Sequence, residues 1–364
     1  MSDDAPSLQS SAGTGVSQTS VGELPNLNGI RALACLMVVV AHVPETFKVD
    51  TVGATGVALF FVLSGFLMGY LYGHKSWSTE AAGEFAIARF ARIAPIYWLT
   101  ILVCAALTPL LGQPDFPLQL EGWQLIGRHL LFGGSSFVFW SISPEVQFYI
   151  FFLYLWWSLN SIASRRVDDR TFTVLVLIVV CSTLLLTHSL WAGLSLPSKA
   201  HLFLAGCAAG MAPRGRVSNF VQGKKLIGLQ MCAVVLLVLP IFLYSTQPQL
   251  YLATEVGLSM AVAIYLLSFP STVTGWLLGS NLMRRIGQAS FSIYLTHMLV
   301  LYAGGRLLGL DLHHYEPLWV PIGVLAVALP MVLSAYVEIP MQRITRRFLL
   351  NQWRFHARTL KWIV

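Results

Sequence analysis

Charge is what this chain has least of. Acidic and basic residues make up 11% of its 364 positions, against 56% hydrophobic ones. That is about half the charged fraction of an average soluble domain, too little polar surface to keep a folded chain in water. Paired cysteines are also missing: Cys35, Cys104, Cys181, Cys207 and Cys232 fall in separate apolar segments with neither a CxxC nor a metal-ligand spacing. They read as small buried hydrophobes, and no metal centre is expected. No repeat of obvious period is present. The first 25 residues lack the basic region that opens a signal peptide and are rich in Ser, Thr and Gly, so they read as a disordered cytoplasmic tail.

What is present is a series of long hydrophobic runs, the mark of an all-α polytopic membrane protein. Ten spans are expected: Gly29 to Val43, Ala54 to Tyr72, Ile93 to Leu111, Phe137 to Leu159, Thr171 to Leu190, Ala200 to Ala212, Leu226 to Tyr244, Leu250 to Phe269, Ala289 to Leu308 and Leu318 to Ile339. The longest extracytoplasmic loop is then Gly112 to Ser136. The domain reading is a 1–25 tail, a 26–342 membrane domain and a basic 343–364 cytoplasmic tail. With the N-terminus inside, eighteen Lys and Arg residues lie in cytoplasmic segments and four outside. This bias puts both termini in the cytoplasm. The net charge of +7 is therefore a topology signal, and no nucleic-acid partner is expected.

Against this background a few polar residues stand out. Arg31 and His42 lie eleven positions apart in the first span, which returns an α-helix to within roughly 20° and separates them by roughly 16 Å along one face. Asn28 shares that face. Ionisable groups at membrane depth usually face a bundle interior or a pathway, so the stripe reads as half of an active site. Arg89 and Arg92, at i and i+3 before the third span, can clamp phosphate together, as arginine grips it bidentately; ordinary anchoring at the cytoplasmic face is the plainer reading.

Ser141 and Glu145, at i and i+4, share a face at the start of the fourth span, at a depth similar to that of His42. There Glu145 would orient the imidazole and support it as a general base; helix capping is the alternative. Ser290, Tyr294 and His297 form a second polar face in the ninth span, where His297 reads as lining the site. Glu338, at the inner end of the last span, either neutralises Arg31 or marks the interface. Ser64 and Gly65 permit close helix approach, and Ser64 can also shape a tunnel. His74, His129, His188, His201, His313, His314 and His356 have no metal-site spacing.

Taken in order, these segments resemble acyltransferase family 3, the membrane O-acyltransferases that modify sugars of O-antigens, exopolysaccharides and nodulation factors. Arg31 with His42 is similar to the family's R-x10-H, Arg89-Phe-Ala-Arg92 to its R-x-x-R, and Phe60-Phe-Val-Leu-Ser-Gly-Phe-Leu to its second-span signature. Trp140-Ser-Ile-Ser-Pro-Glu145 is similar to W-S-L-S-x-E, Ser290 to His297 to S-x-x-x-Y-L-x-H, and Val337-Glu338-Ile-Pro340 to the closing V-E-x-P.

The resemblance implies a bacterial inner-membrane enzyme that takes an acyl group, acetyl by family habit, from cytoplasmic acyl-CoA to a hydroxyl of a carbohydrate or lipid-linked glycan. It implies no permanently bound cofactor. Arg31, Arg89 and Arg92 would hold the nucleotide phosphates, and His42 would act as general base or as an acyl-histidine nucleophile. Ser141, Tyr294 and a backbone N–H are all open as oxyanion donors. A secondary transporter of an anionic lipid or sugar would also use intramembrane Arg, His and Glu, but no two-fold hydropathy repeat supports it. An inactive scaffold of an envelope-polysaccharide complex is a third reading. The oligomeric state is not legible.

Overall fold

The computed structural model describes residues 24–44, 50–111, 116–164, 180–183, 186–187, 196–215, 222–311, 314 and 316–360, and these hold helices and no strand. The first five helices are α1 (Pro25–His42), α2 (Asp50–Tyr72), α3 (Thr79–Leu111), α4 (Trp123–Leu130) and α5 (Ile142–Ser164), the last entered through a 3₁₀ turn over Phe137–Ser141. The chain continues through α6 (Leu196–Met211), α7 (Lys224–Leu243), α8 (Gln247–Leu252), α9 (Thr254–Leu267), α10 (Thr272–Leu277) and α11 (Asn281–Gln288). It ends in α12 (Ser290–Leu308), α13 (Trp319–Leu333) and α14 (Ile339–Leu360).

Among the described residues six helical segments are long and apolar enough to cross a membrane, and α1 and α9 are shorter apolar helices. Their outward faces carry Leu102, Ile150, Val235, Phe242 and Val324, all exposed. Bare apolar surface of this extent suits lipid rather than water. The fifth expected span lies largely outside the described residues, as do the 1–23 part of the N-terminal tail, His188 and His313.

Two expected elements take another form. The eighth run is broken at Ala253, whose extended backbone separates α8 from α9. The last run does not end near residue 342: after a π-helical turn over Ser334–Glu338 it continues as α14 to Leu360. The described part of the expected basic tail is thus helical and has a partner. Trp353 packs where a side chain on Gly83 would sit, and Arg354 donates to Glu84 at 2.8 Å, both on the first turns of α3. The expected loop from Gly112 to Ser136 likewise contains α4.

The tightest helix pair is α2 with α6. Gly65 and Gly69 on α2 face Gly206 and Gly210 on α6, and a Cβ on any of the four would overlap a backbone carbonyl of the other helix. Two small-xxx-small stripes bring the backbones into contact, and this is how helices associate where lipid removes the hydrophobic driving force.

Helix α1 packs beside this pair, against α2, α11 and α12. Its start is pinned by Asn26, whose Nδ2 donates to Leu267 O at 3.0 Å, Phe269 O at 3.3 Å and Thr274 Oγ1 at 3.1 Å. Carbonyls at the end of α9 have no intrahelical partner, and at membrane depth a side chain must supply one. With its first turn fixed, α1 can present Arg31 and His42 to different regions of the bundle interior.

Candidate active site

A cavity enclosing about 740 Å³ of atom-free space, open mouth included, contains Arg31 from α1, Arg89 and Arg92 from α3, and Ser64 from α2. Ser141, Glu145, Tyr149, Ser290 and Tyr294 also line it. The three guanidinium groups differ in how well they are satisfied. Arg92 is paired with Glu338 at 2.5 Å. Arg31 donates from Nε to Ser290 Oγ over a long 3.4 Å. Arg89 has a buried Nε with no hydrogen-bond partner and lies over the rings of Phe85 at 5.9 Å and Tyr149 at 5.8 Å. Buried donors without acceptors are costly, so this chamber has the chemistry of an anion site.

The two acids take up places other than those expected. Glu338 neutralises Arg92, not Arg31, and accepts from Ser292 Oγ and Ser334 Oγ, both at 2.6 Å. Ser334 lies at i−4 from Glu338 in the π-helical turn, so the two side chains share one face. Glu145 does not reach His42. It accepts from Tyr149 OH at 2.6 Å and Ser64 Oγ at 3.4 Å inside the arginine chamber. The expectation that it orients the imidazole is therefore corrected. Tyr149 is its i+4 neighbour, so the local helix takes up the carboxylate before His42 can.

His42 lies in a second chamber of about 710 Å³, open mouth included, lined by Val38, Ala41, Gly53, Ala54, Val57, Phe137, Val138, Trp140, Gln247, Tyr251 and Tyr294. His42 Nδ1 is 2.8 Å from Val38 O and 3.3 Å from His297 Nε2. The other nitrogen of His297, Nδ1, is 2.8 Å from Tyr294 O and 3.1 Å from Ile293 O.

Carbonyl oxygens only accept, which settles the tautomers by inference from the hydrogen bonds. His297 carries its proton on Nδ1, so its Nε2 is an acceptor. His42 carries its proton on Nδ1, shared between Val38 O and His297. The lone pair of His42 is therefore on Nε2, the nitrogen left free of these contacts. His297 Nε2 thus lies against His42 Nδ1, the side on which the acid of a hydrolase triad would sit.

Among the described residues, only Val57 and Tyr294 line both chambers. The hydroxyl of Tyr294 donates to Val138 O at 2.7 Å and accepts from Ser141 Oγ at 2.8 Å. It ties the partition between the chambers to the turn that enters α5.

Of the site residues read from sequence, Arg31, Arg89, Arg92, Ser64, Ser141, Glu145 and Tyr294 meet in the first chamber, and His42 with Tyr294 in the second. Asn28 lines neither; its backbone carbonyl packs on Gly287. Sequence reasoning passed over Tyr149, Ser292, Ser334 and Phe137. Tyr149 could have been found from its i+4 spacing to Glu145. Ser334 has the same spacing to Glu338, whereas Ser292 meets Glu338 from another helix, a pairing that the sequence pattern does not announce.

The chain belongs to an acyltransferase family: the model of its acyltransferase domain matches residues 24–337, and the family is membrane-bound. Among curated relatives, acyltransferase MdmB of Streptomyces mycarofaciens is 25% identical over 87% of this chain and 89% of its own length. A putative peptidoglycan O-acetyltransferase, YrhL of Bacillus subtilis, is 28% identical over 76% of the chain, and the peptidoglycan O-acetyltransferase OatA of Listeria monocytogenes is 25% identical over the same share. The match spans 48% of YrhL and 49% of OatA, about half the length of each. No solved structure matches the chain at a significant level.

Proposed function

We propose that the protein is an acyl-CoA-dependent O-acyltransferase of the bacterial cytoplasmic membrane, with both termini cytoplasmic, and that it moves an acetyl group to a hydroxyl of an envelope carbohydrate or lipid-linked glycan. The observation that carries this reading is the pair of chambers meeting at Tyr294. One offers unsatisfied guanidinium donors and the other a histidine with a free Nε2. Donor phosphates suit the first, because phosphate takes bidentate arginine pairs. The extended, largely uncharged pantetheine arm then runs along α1, and the roughly 16 Å from Arg31 to His42 is the distance it must cover. The names of YrhL and OatA support acetyl as the group transferred.

In the reaction, His42 Nε2 removes the proton of the acceptor hydroxyl as its oxygen attacks the thioester carbonyl. The imidazolium that forms keeps its Nδ1 proton on Val38 O and His297 Nε2. The tetrahedral intermediate collapses, the C–S bond breaks, and the CoA thiolate takes the proton from His42. The products are an ester and CoA thiol. Ser141 Oγ–H, donated to Tyr294, and Tyr294 O–H, donated to Val138 O, lie at the partition; turned from these acceptors, either hydroxyl could donate to the oxyanion.

The test is acetyl-CoA binding to the detergent-purified protein by calorimetry. Arg89 is the informative position, because Arg92 is tied to Glu338 while Arg89 has a bare Nε. Arg89→Ala is expected to weaken binding by about ten- to a hundredfold, the size of a lost charge-assisted contact, at an unchanged Tm. Absence of acetyl-CoA binding to folded wild type would sink the proposal.

A further inference from the structure

Phe137 has φ +38°, and with Phe132 at +57° it is one of two non-glycine residues with positive φ among those described. A bulky L residue there is strained, and such strain persists only where the surroundings over-determine it. Burial of the ring does not account for it, since Phe137 is 44% exposed. Its neighbours hold it instead. On one side Ser136 O accepts from Phe139 N at 2.9 Å, and Ser136 Oγ is 2.9 Å from Nε2 of the fully buried His129. His129 Nδ1 is in turn 2.8 Å from Tyr97 OH on α3. On the other side Val138 O accepts the Tyr294 hydroxyl of α12.

This clamp sets the Phe137 ring edge-on to His42, with centroids 5.7 Å apart and planes at 62°. A second flank of the imidazole meets His297, at 5.0 Å and 61°. His42 is the last residue of α1, and the chain turns extended at Val43. Its ring turns back along the helix to Val38 O, and two neighbouring rings flank it.

We propose that Phe137 is a positioning residue for acyl transfer, its strained backbone maintained so that its ring holds His42 in the rotamer that keeps Nδ1 on Val38 and His297 and Nε2 towards the acceptor. This rests on His42 being the base. Phe137 touches no reacting atom; it acts through the imidazole.

The experiment follows release of CoA thiol from acetyl-CoA in native membranes, which contain the acceptor, together with the Tm of the purified protein. Phe137→Gly removes ring and strain at once, because glycine adopts positive φ freely. It is expected to melt no lower than wild type while kcat falls about tenfold or more, with acetyl-CoA affinity unchanged and the pH midpoint of kcat displaced. Phe137→Tyr restores kcat, whereas Phe137→Leu, which keeps the bulk without the ring, does not.

A lowered Tm for Phe137→Gly would overturn the role of strain. A kcat within twofold of wild type in Phe137→Gly or Phe137→Leu would overturn positioning, and the Leu variant serves if the Gly variant does not fold. His42→Gln, assayed alongside, separates this inference from its premise: activity in that variant removes the base itself, whereas an inactive His42→Gln beside a fully active Phe137→Gly removes only the inference.

Discussion

The two chambers of this protein solve opposite problems. The arginine chamber gathers charge from three helices and leaves part of it unsatisfied, with Arg89 Nε bare and Arg31 holding one long bond. The histidine chamber has one imidazole, that of His42, among aliphatic, aromatic, phenolic and amide side chains. Grip on a polyanion needs donors that wait for acceptors, and their cost in the empty state is repaid on binding. Proton transfer needs one lone pair held still in surroundings that do not compete for it. The chain keeps the two apart with Tyr294 and Val57, so that neither environment spoils the other.

Substitutions should split along that partition. The largest effect is expected from His42→Ala, which should lower the transfer rate by about 10² to 10⁴ while calorimetry finds acetyl-CoA bound as in wild type. His297→Ala should lower kcat by less, about tenfold, because Val38 O still accepts from Nδ1; steady-state kinetics on the two variants gives the ratio. Equal losses in kcat and in acetyl-CoA affinity for His42→Ala would dissolve the comparison.

Next in size is a stability effect confined to the arginine side. Arg92→Ala leaves Glu338, 1% exposed, without its cation. Breaking a buried pair in this way costs on the order of 3 kcal/mol. Arg92→Ala should therefore lower Tm by several degrees, and Glu338→Gln added to it should recover most of the loss, since the amide can still accept from Ser292 and Ser334. Thermal melts of the single and double variants in detergent decide this. A single variant with the wild-type Tm would mean that the pair is not structural.

The smallest effect belongs to the support of the histidine side. His129, outside the spans on α4, has its pKa pushed down to about 4, first by burial and then by the charge of Arg128. The unfolded chain binds this proton below about pH 6.5 and the folded chain does not. Stability is therefore full above that pH, and declines as the pH falls from 6.5 towards 4. His129→Gln, which retains a donor and an acceptor for Tyr97 and Ser136, should flatten that slope in melts taken across the window.

Much of this was legible in one dimension. Helical periodicity alone put Arg31 and His42 on one stripe, and the i, i+3 spacing of Arg89 and Arg92 marked a paired cation. What periodicity cannot give is which helix lies opposite. Glu145 and His42 were matched by depth, but Glu145 found Tyr149 one turn along its own helix, and His42 found His297, 255 residues away. Glu338 was left open between Arg31 and the interface for a related reason: its pairing with Arg92 depends on which helix lies opposite.

The form of the C-terminal segment was not legible from composition. Its arginines mark a basic tail and say nothing of its partner, yet Trp353 and Arg354 find Gly83 and Glu84 on α3, and a long amphipathic helix follows once a partner covers one face. The eighth run was read as unbroken because nothing in its hydropathy marks Ala253, where the backbone leaves the helix.

That Arg31 and His42 share α1 has a consequence for the lipid environment. Bilayers of different thickness change the tilt of membrane helices and the sliding of one past another. The interval between two residues on a single helix is set by main-chain hydrogen bonds within it and does not follow those changes. Arg89 and Arg92, on α3, ride on a different element and can shift with the membrane. Helix α1 thus forms a built-in ruler: whatever the membrane, a donor held as proposed, with its phosphate end at Arg31, would have the same length to span before it met His42.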